Sequence, residues 1–81
     1  MNIYVGNLAH ETQEPKLRET FEKFGEVSSV NIITDRNDGS PRGFAFVEMK
    51  SDEHGQSAIA DLNGTELDGR TLKVNLAKPR N

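Results

Sequence analysis

The chain has 81 residues, ten Lys and Arg against thirteen Asp and Glu, and a net charge of −3, which is one domain's worth of sequence with a thin core. It holds no cysteine, which excludes disulfide scaffolds, thiolate nucleophiles and every Cys-based metal site, and suits a reducing compartment. No apolar run approaches a signal-peptide core or a membrane span, so a soluble cytoplasmic protein with no membrane partner is expected, and the acidic balance argues at first sight against a nucleic-acid ligand.

Residues 2–8, Asn-Ile-Tyr-Val-Gly-Asn-Leu, alternate and are rich in β formers, so they read as a first strand closed by a Gly-Asn loop. Thr12 is the expected N-cap of a first helix, with Pro15 in its opening turn, Leu17, Phe21 and Phe24 along one face and Gly25 as its C′ residue. Val27 to Thr34 reads as a second strand, the cluster Asp35 to Pro41 as a turn, and Arg42 to Lys50 as a third strand completing a hairpin. Ser51 is the expected cap of a second helix that carries Gly55, Ala58, Ile59 and Leu62 on one face and ends at Asn63-Gly64. Glycine inside a helix costs about 1 kcal/mol relative to alanine, so Gly55 points to a close packing contact. A turn over Glu66 to Gly69 leads to a last strand from Arg70 to Ala77, with Leu72, Val74 and Leu76 on one side. The domain is expected over residues 1–78, with 79–81 as a short tail.

The order is βαββαβ, an α+β chain with two crossovers and a central hairpin. Interleaving the crossovers puts the first and third strands in the middle of a four-stranded antiparallel sheet with both helices on one face. The opposite face is left to solvent, as antiparallel sheets allow. Function then depends on what that open face displays.

Alternation along the third strand places Gly43, Ala45, Val47 and Met49 on one side and Arg42, Phe44, Phe46 and Glu48 on the other. The charges of Arg42 and Glu48 mark the second set as the wet side. In the first strand Ile3 and Val5 are the core pair, which leaves Tyr4 beside the two phenylalanines. The competing reading, a register slipped by one residue, would bury both charges and expose Val47 and Met49. A contiguous exposed aromatic patch on a small domain marks a binding site. Flat rings interleaved with cations suit unstacked bases, each stack being worth about 1 to 3 kcal/mol, so single-stranded RNA is the expected ligand and single-stranded DNA a related one.

These residues resemble the RNA recognition motif family. Arg42-Gly43-Phe44-Ala45-Phe46-Val47-Glu48-Met49 matches that family's octameric signature at all but its last position, where Met49 replaces an aromatic but faces the core. Ile3-Tyr4-Val5-Gly6-Asn7-Leu8 matches its hexameric signature throughout, and the resemblance extends over residues 2–78, including Asp35-Arg36 and Leu62-Asn63-Gly64. In length the chain is similar to the small single-domain members of bacteria and plants. The resemblance implies a ferredoxin-like sandwich and a role in post-transcriptional RNA regulation. It also implies that Tyr4 and Phe44 stack on successive bases, that Phe46 packs on a sugar or a further base, and that Arg42 contacts phosphate; Asn7, at the end of the first strand, is counted with them as an RNA-binding candidate.

Neighbouring positions extend the candidate set. Lys73 and Asn75 alternate against Leu72, Val74 and Leu76 and would flank the rings with donors, or serve only as solvated strand residues. Asn31 and Ile33 face the ligand if Val30 and Ile32 are core, although Ile33 could sit at a bulge. Arg36 in the hairpin turn and Lys78 and Arg80 in the tail could reach the phosphate backbone, though charge at loops more often serves solvation. Glu48 would repel phosphate yet can accept from a base amino group.

Other activities of this fold lack their residues here. There is no Cys-x-x-Cys loop for metal carriage and no arginine between Gly6 and Thr12 for a phosphate-hydrolysing site. His10 and His54 read as ordinary surface histidines rather than an acid–base pair. No enzyme, cofactor or small-molecule substrate is expected, and a monomer is. The remaining rival is a protein–protein interaction module, which loss of the aromatics would favour; all three are present. The acidity is also local: residues 9–26 and 51–62, the helices and their flanks, hold eight acids and three bases for a net −5, and the remainder holds five acids and seven bases for +2. The net acidity therefore belongs to the face turned away from the ligand.

Overall fold

Alternation sorts the strands into a wet and a dry side, and the sheet follows that sorting. The computed structural model describes residues 1–9, 11–34 and 41–77, with the backbone alone for Thr34, Pro41 and Arg42. The expectations for His10, the 35–40 turn with Arg36, and the tail with Lys78 and Arg80 lie outside the described residues, as does the side chain of Arg42. In chain order the elements are β1 (Asn2–Gly6), α1 (Glu14–Glu22), β2 (Val27–Thr34), β3 (Pro41–Met49), α2 (Asp52–Leu62), β4 (Glu66–Leu67), β5 (Arg70–Thr71) and β6 (Lys73–Leu76). Four strands form one sheet in the order β2-β3-β1-β6, antiparallel at every pairing, while β4 and β5 make a separate ribbon. With that ribbon set aside, the architecture is the βαββαβ ferredoxin-like sandwich.

The dry side carries Ile3, Val5, Ala45, Val47, Met49 and Val74, fully buried against Leu17 and Phe21 of α1 and Ala58 of α2. Removing the Phe21 ring would cost about 3 to 5 kcal/mol. At about 0.05 to 0.15 kcal/mol per residue, that is a large part of such a domain's whole stability. Gly55 does pack closely: a Cβ there would strike the Met1 side chain. Ser51 caps α2 by accepting from the His54 N–H at 3.3 Å. No helix among the described residues is long and apolar enough to cross a membrane.

Five local expectations are corrected. β1 stops at Gly6, and Leu8 instead turns inward, buried, with its N–H donating to the Gly43 carbonyl at 2.9 Å. Gln13, not Thr12, stands at the N-cap of α1, because the Thr12 hydroxyl is buried and donates to Asp68 at 2.7 Å. The helix ends at a Lys23 cap, before Gly25, and Gly25 is needed where the His54 ring leaves no room for a Cβ. The strand expected from Arg70 to Ala77 breaks at Leu72, which is 1% exposed and is anchored in the core. Ahead of the break, Asp68 (φ 52°) and Gly69 (φ 84°) close a two-residue hairpin of the kind that left-handed Asp-Gly favours, so the stretch Glu66 to Gly69 is half strand and half turn. Leu76 keeps its expected side, opposite Ile3, and is 57% exposed at the end of β6, beside an open concavity lined by Met1, Glu48 and Asp52.

Candidate nucleic-acid interface

Directly paired residues of an antiparallel sheet share a face, so the register itself draws the site. Asn31, Phe46, Tyr4 and Asn75 stand opposite one another across β2, β3, β1 and β6. Two rings thus sit at the centre of a row with an amide at each end. The next row is Phe44, Gly6 and Lys73, and on the other side lies Ser29, Glu48 and Asn2. With strands about 4.8 Å apart, the four-residue row is about 14 Å long, enough for several unstacked bases.

The three rings form a triangle. Centroids are 6.1 Å apart for Tyr4 and Phe44, 6.0 Å for Tyr4 and Phe46, and 6.1 Å for Phe44 and Phe46, with interplanar angles of 30°, 62° and 86°. Tilted and edge-to-face pairs of this kind add about 0.5 to 1.5 kcal/mol beyond area burial. The contacts leave Tyr4 and Phe44 half-buried and Phe46 37% exposed, with their positions set before any ligand arrives. Such preorganisation lowers the ordering penalty of binding.

The backbone beneath the rings bends at two points. Register shifts fall between Val27 and Ser29 and between Ile32 and Thr34, and the second lies opposite Gly43, whose φ is +87°. An L-residue side chain would be strained there, so the glycine permits the bulge that presents Phe44. Ile33 lies at this irregularity, half-buried, while Asn31 is exposed beside Phe46. Lys73, Asn75 and Glu48 are exposed.

Asn7 is differently employed. Its backbone takes φ 60°, its Nδ2 donates to the Thr71 carbonyl at 2.6 Å, and its Oδ1 accepts from the Arg70 guanidinium at 2.7 Å. The side-chain amide therefore ties the loop after β1 to β5. On the same ribbon Asp68 accepts from Thr12 and lies 3.5 Å from the Lys16 ammonium. The Thr12 hydrogen bond first, and Lys16 second, hold the Asp68 carboxyl below its ordinary value. Asn7 and Asp68 thus pin the β4–β5 ribbon over the β1–α1 loop, one from each side. Sequence reading missed Arg70, whose signal was its place directly after the Asp-Gly turn.

The model of the family described as "RNA recognition motif" matches residues 3–73. The chain is 51% identical over 80 residues to the provisionally named RNA-binding protein RbpD of Nostoc sp., covering 99% of this chain and 85% of that protein. Its fold superposes on the crystal structure of RNA Binding Protein PG1 with a TM-score of 0.95 at 43% identity, covering 100% of this chain and 98% of the other. It also superposes on the RRM of Rna15 with bound RNA (GU), with a TM-score of 0.86 at 27% identity over 96% of this chain and 83% of that one.

Proposed function

The chain belongs to the RNA recognition motif family and binds single-stranded RNA, and on that premise we propose that its open sheet face does so by stacking bases on the Tyr4, Phe44 and Phe46 triangle. Tyr4 and Phe44, tilted by only 30°, take two successive bases, and Phe46, set edge-on to Phe44, packs on a sugar or a third base. Asn31 and Asn75, at the ends of the central row, offer donors and acceptors to base edges, and Glu48 accepts from an exocyclic amino group. Lys73 answers phosphate, together with Arg42, Arg36, Lys78 and Arg80. The observation that carries this reading is the three-ring cluster standing on the solvent side of two central strands, where a folded domain has no internal use for it.

One copy carries the whole platform, so the binding unit is a monomer. The stacking groups do not distinguish ribose from deoxyribose, and single-stranded DNA is expected to bind as well. We read the domain as a binder and not as an enzyme. Two or three stacks and a few phosphate contacts, less the loss of motion on association, give about micromolar affinity for about two to four nucleotides. The test is titration with an unstructured RNA of about eight nucleotides and with the same strand in a duplex. Single-stranded RNA should bind at least tenfold more tightly, and equal binding of the duplex would contradict the proposal.

A further inference from the structure

Gly6 stands on the open face, paired with Phe44 on one side and Lys73 on the other, yet it is buried. On a surface that faces solvent, something must cover it, and the cover is Tyr4. A Cβ added to Gly6 would lie 2.6 Å from the Tyr4 Oη and 2.9 Å from Cε2, closer than real Cβ atoms approach, and 3.0 Å from Cζ. The phenol ring thus leans along β1 and rests on the glycine backbone. The left-handed glycines among the described residues are Gly43, Gly64 and Gly69, so Gly6 is not required for its dihedral angles. What it supplies is the missing side chain.

We propose that Gly6 is the positioning residue of the platform: its bare backbone is the seat that lets the Tyr4 ring lie down beside Phe44, and any side chain at this position would lift the ring and spoil its stacking plane. The inference rests on the reading that Tyr4 stacks a base. Its chemistry is steric and one-directional. The ring lies at the level of the Phe44 and Lys73 row because nothing fills the space above residue 6, and that brings the Tyr4 and Phe44 centroids to 6.1 Å although the two residues are not direct partners in the ladder. A Cβ would force Tyr4 to rotate toward solvent or toward Phe46, its partner across the strands, whose centroid is 6.0 Å away.

Gly6 is not among the left-handed residues, so alanine meets no backbone strain there, and its smaller loss of freedom on folding offsets the ring contact it displaces; Gly6→Ala should fold with a stability close to the parent's. Tyr4 is the chain's single tyrosine and there is no tryptophan, so intrinsic emission and its anisotropy report on this ring alone. The experiment is a double-mutant cycle of Gly6→Ala and Tyr4→Leu, with short single-stranded RNA as the probe and tyrosine anisotropy of the free protein as the second readout. Gly6→Ala should weaken RNA binding by about fivefold or more and lower the tyrosine anisotropy, with the protein folded and its thermal midpoint close to the parent's. In the Tyr4→Leu background the same substitution should change affinity by less than twofold. Unchanged RNA binding by Gly6→Ala overturns the inference. So does an equal loss in both backgrounds, which would mean that the RNA backbone itself needs the space at Gly6. If Tyr4→Leu alone binds like the parent, the stacking reading fails, and the inference as a statement about RNA falls with it. A fall in tyrosine anisotropy without an effect of Tyr4→Leu identifies that case.

Discussion

Asn7 and Arg70 are joined by a 2.7 Å hydrogen bond across 63 residues of sequence, and the other end of the Asn7 amide holds the Thr71 carbonyl. A residue counted among the RNA-binding candidates is thus a clasp between the β1–α1 loop and the β4–β5 ribbon. Asn7→Ala should destabilise the fold by about 1 to 3 kcal/mol, combining the lost hydrogen bonds with a left-handed backbone that alanine adopts at a cost. Asn7→Gly relieves the backbone part and should recover some of the loss. Urea unfolding of the two variants separates the terms, and a larger loss for glycine than for alanine would contradict the assignment.

Asp68 makes the same ribbon sensitive to acid. Its folded carboxyl titrates below the ordinary value because Thr12 donates to it and Lys16 lies beside it. A depressed folded pKa contributes stability that is fully present above the unfolded value of about 3.9 and is lost as pH falls through the folded value. The urea midpoint of the parent should therefore fall more steeply below about pH 4 than that of Asp68→Asn. Asparagine accepts the left-handed backbone at this position, so the variant isolates the charge. Parallel curves for the two proteins would remove Asp68 from the account.

Gly43 should be intolerant for a reason opposite to that at Gly6. A Cβ there would meet only the Leu8 carbonyl, at an ordinary 3.8 Å, so space is not limiting, but φ is +87°. Gly43→Ala should cost about 1 to 2 kcal/mol through backbone strain alone. Thermal unfolding measures it. Because the bulge also orients Phe44, RNA affinity should fall in the same variant.

Salt dependence should be marked but bounded. If about two or three phosphates are contacted, log K against log salt should have a slope of about −1.4 to −2, since each contact contributes about −0.7 on a single strand. A slope steeper than about −4 would mean that bulk electrostatics dominates, which the net charge of −3 and the acidic helical side oppose.

The architecture and the faces of the residues from Ala45 to Met49, and of Ile3 and Val5, were legible in the sequence because period-two alternation in β1 and β3 leaves one consistent register. Ile3, Val5, Ala45, Val47 and Met49 all prove buried, and Glu48 and Phe46 exposed. What escaped was decided by contacts distant in sequence. Thr12 looks like a helix cap until Asp68, 56 residues away, takes its hydroxyl. Gly25 looks like a helix terminator until the His54 ring is seen against it. Propensity acts over a few residues, and neither partner lies within that range. The break at Leu72 likewise comes from burial of one side chain, which turns a continuous alternating stretch into a ribbon followed by an edge strand. Gly6 matched a signature position, but its use appears only when the Tyr4 ring is placed on it.

The most direct test of the central claim is titration of short single-stranded RNA with the parent and with the Phe44→Ala, Phe46→Ala double variant, thermal unfolding confirming that both are folded. With each ring contact to the RNA worth at least about 1 kcal/mol, as a base stack would be, the double variant should bind at least about thirtyfold more weakly. Equal affinity of two folded proteins would contradict the claim that these rings hold the RNA.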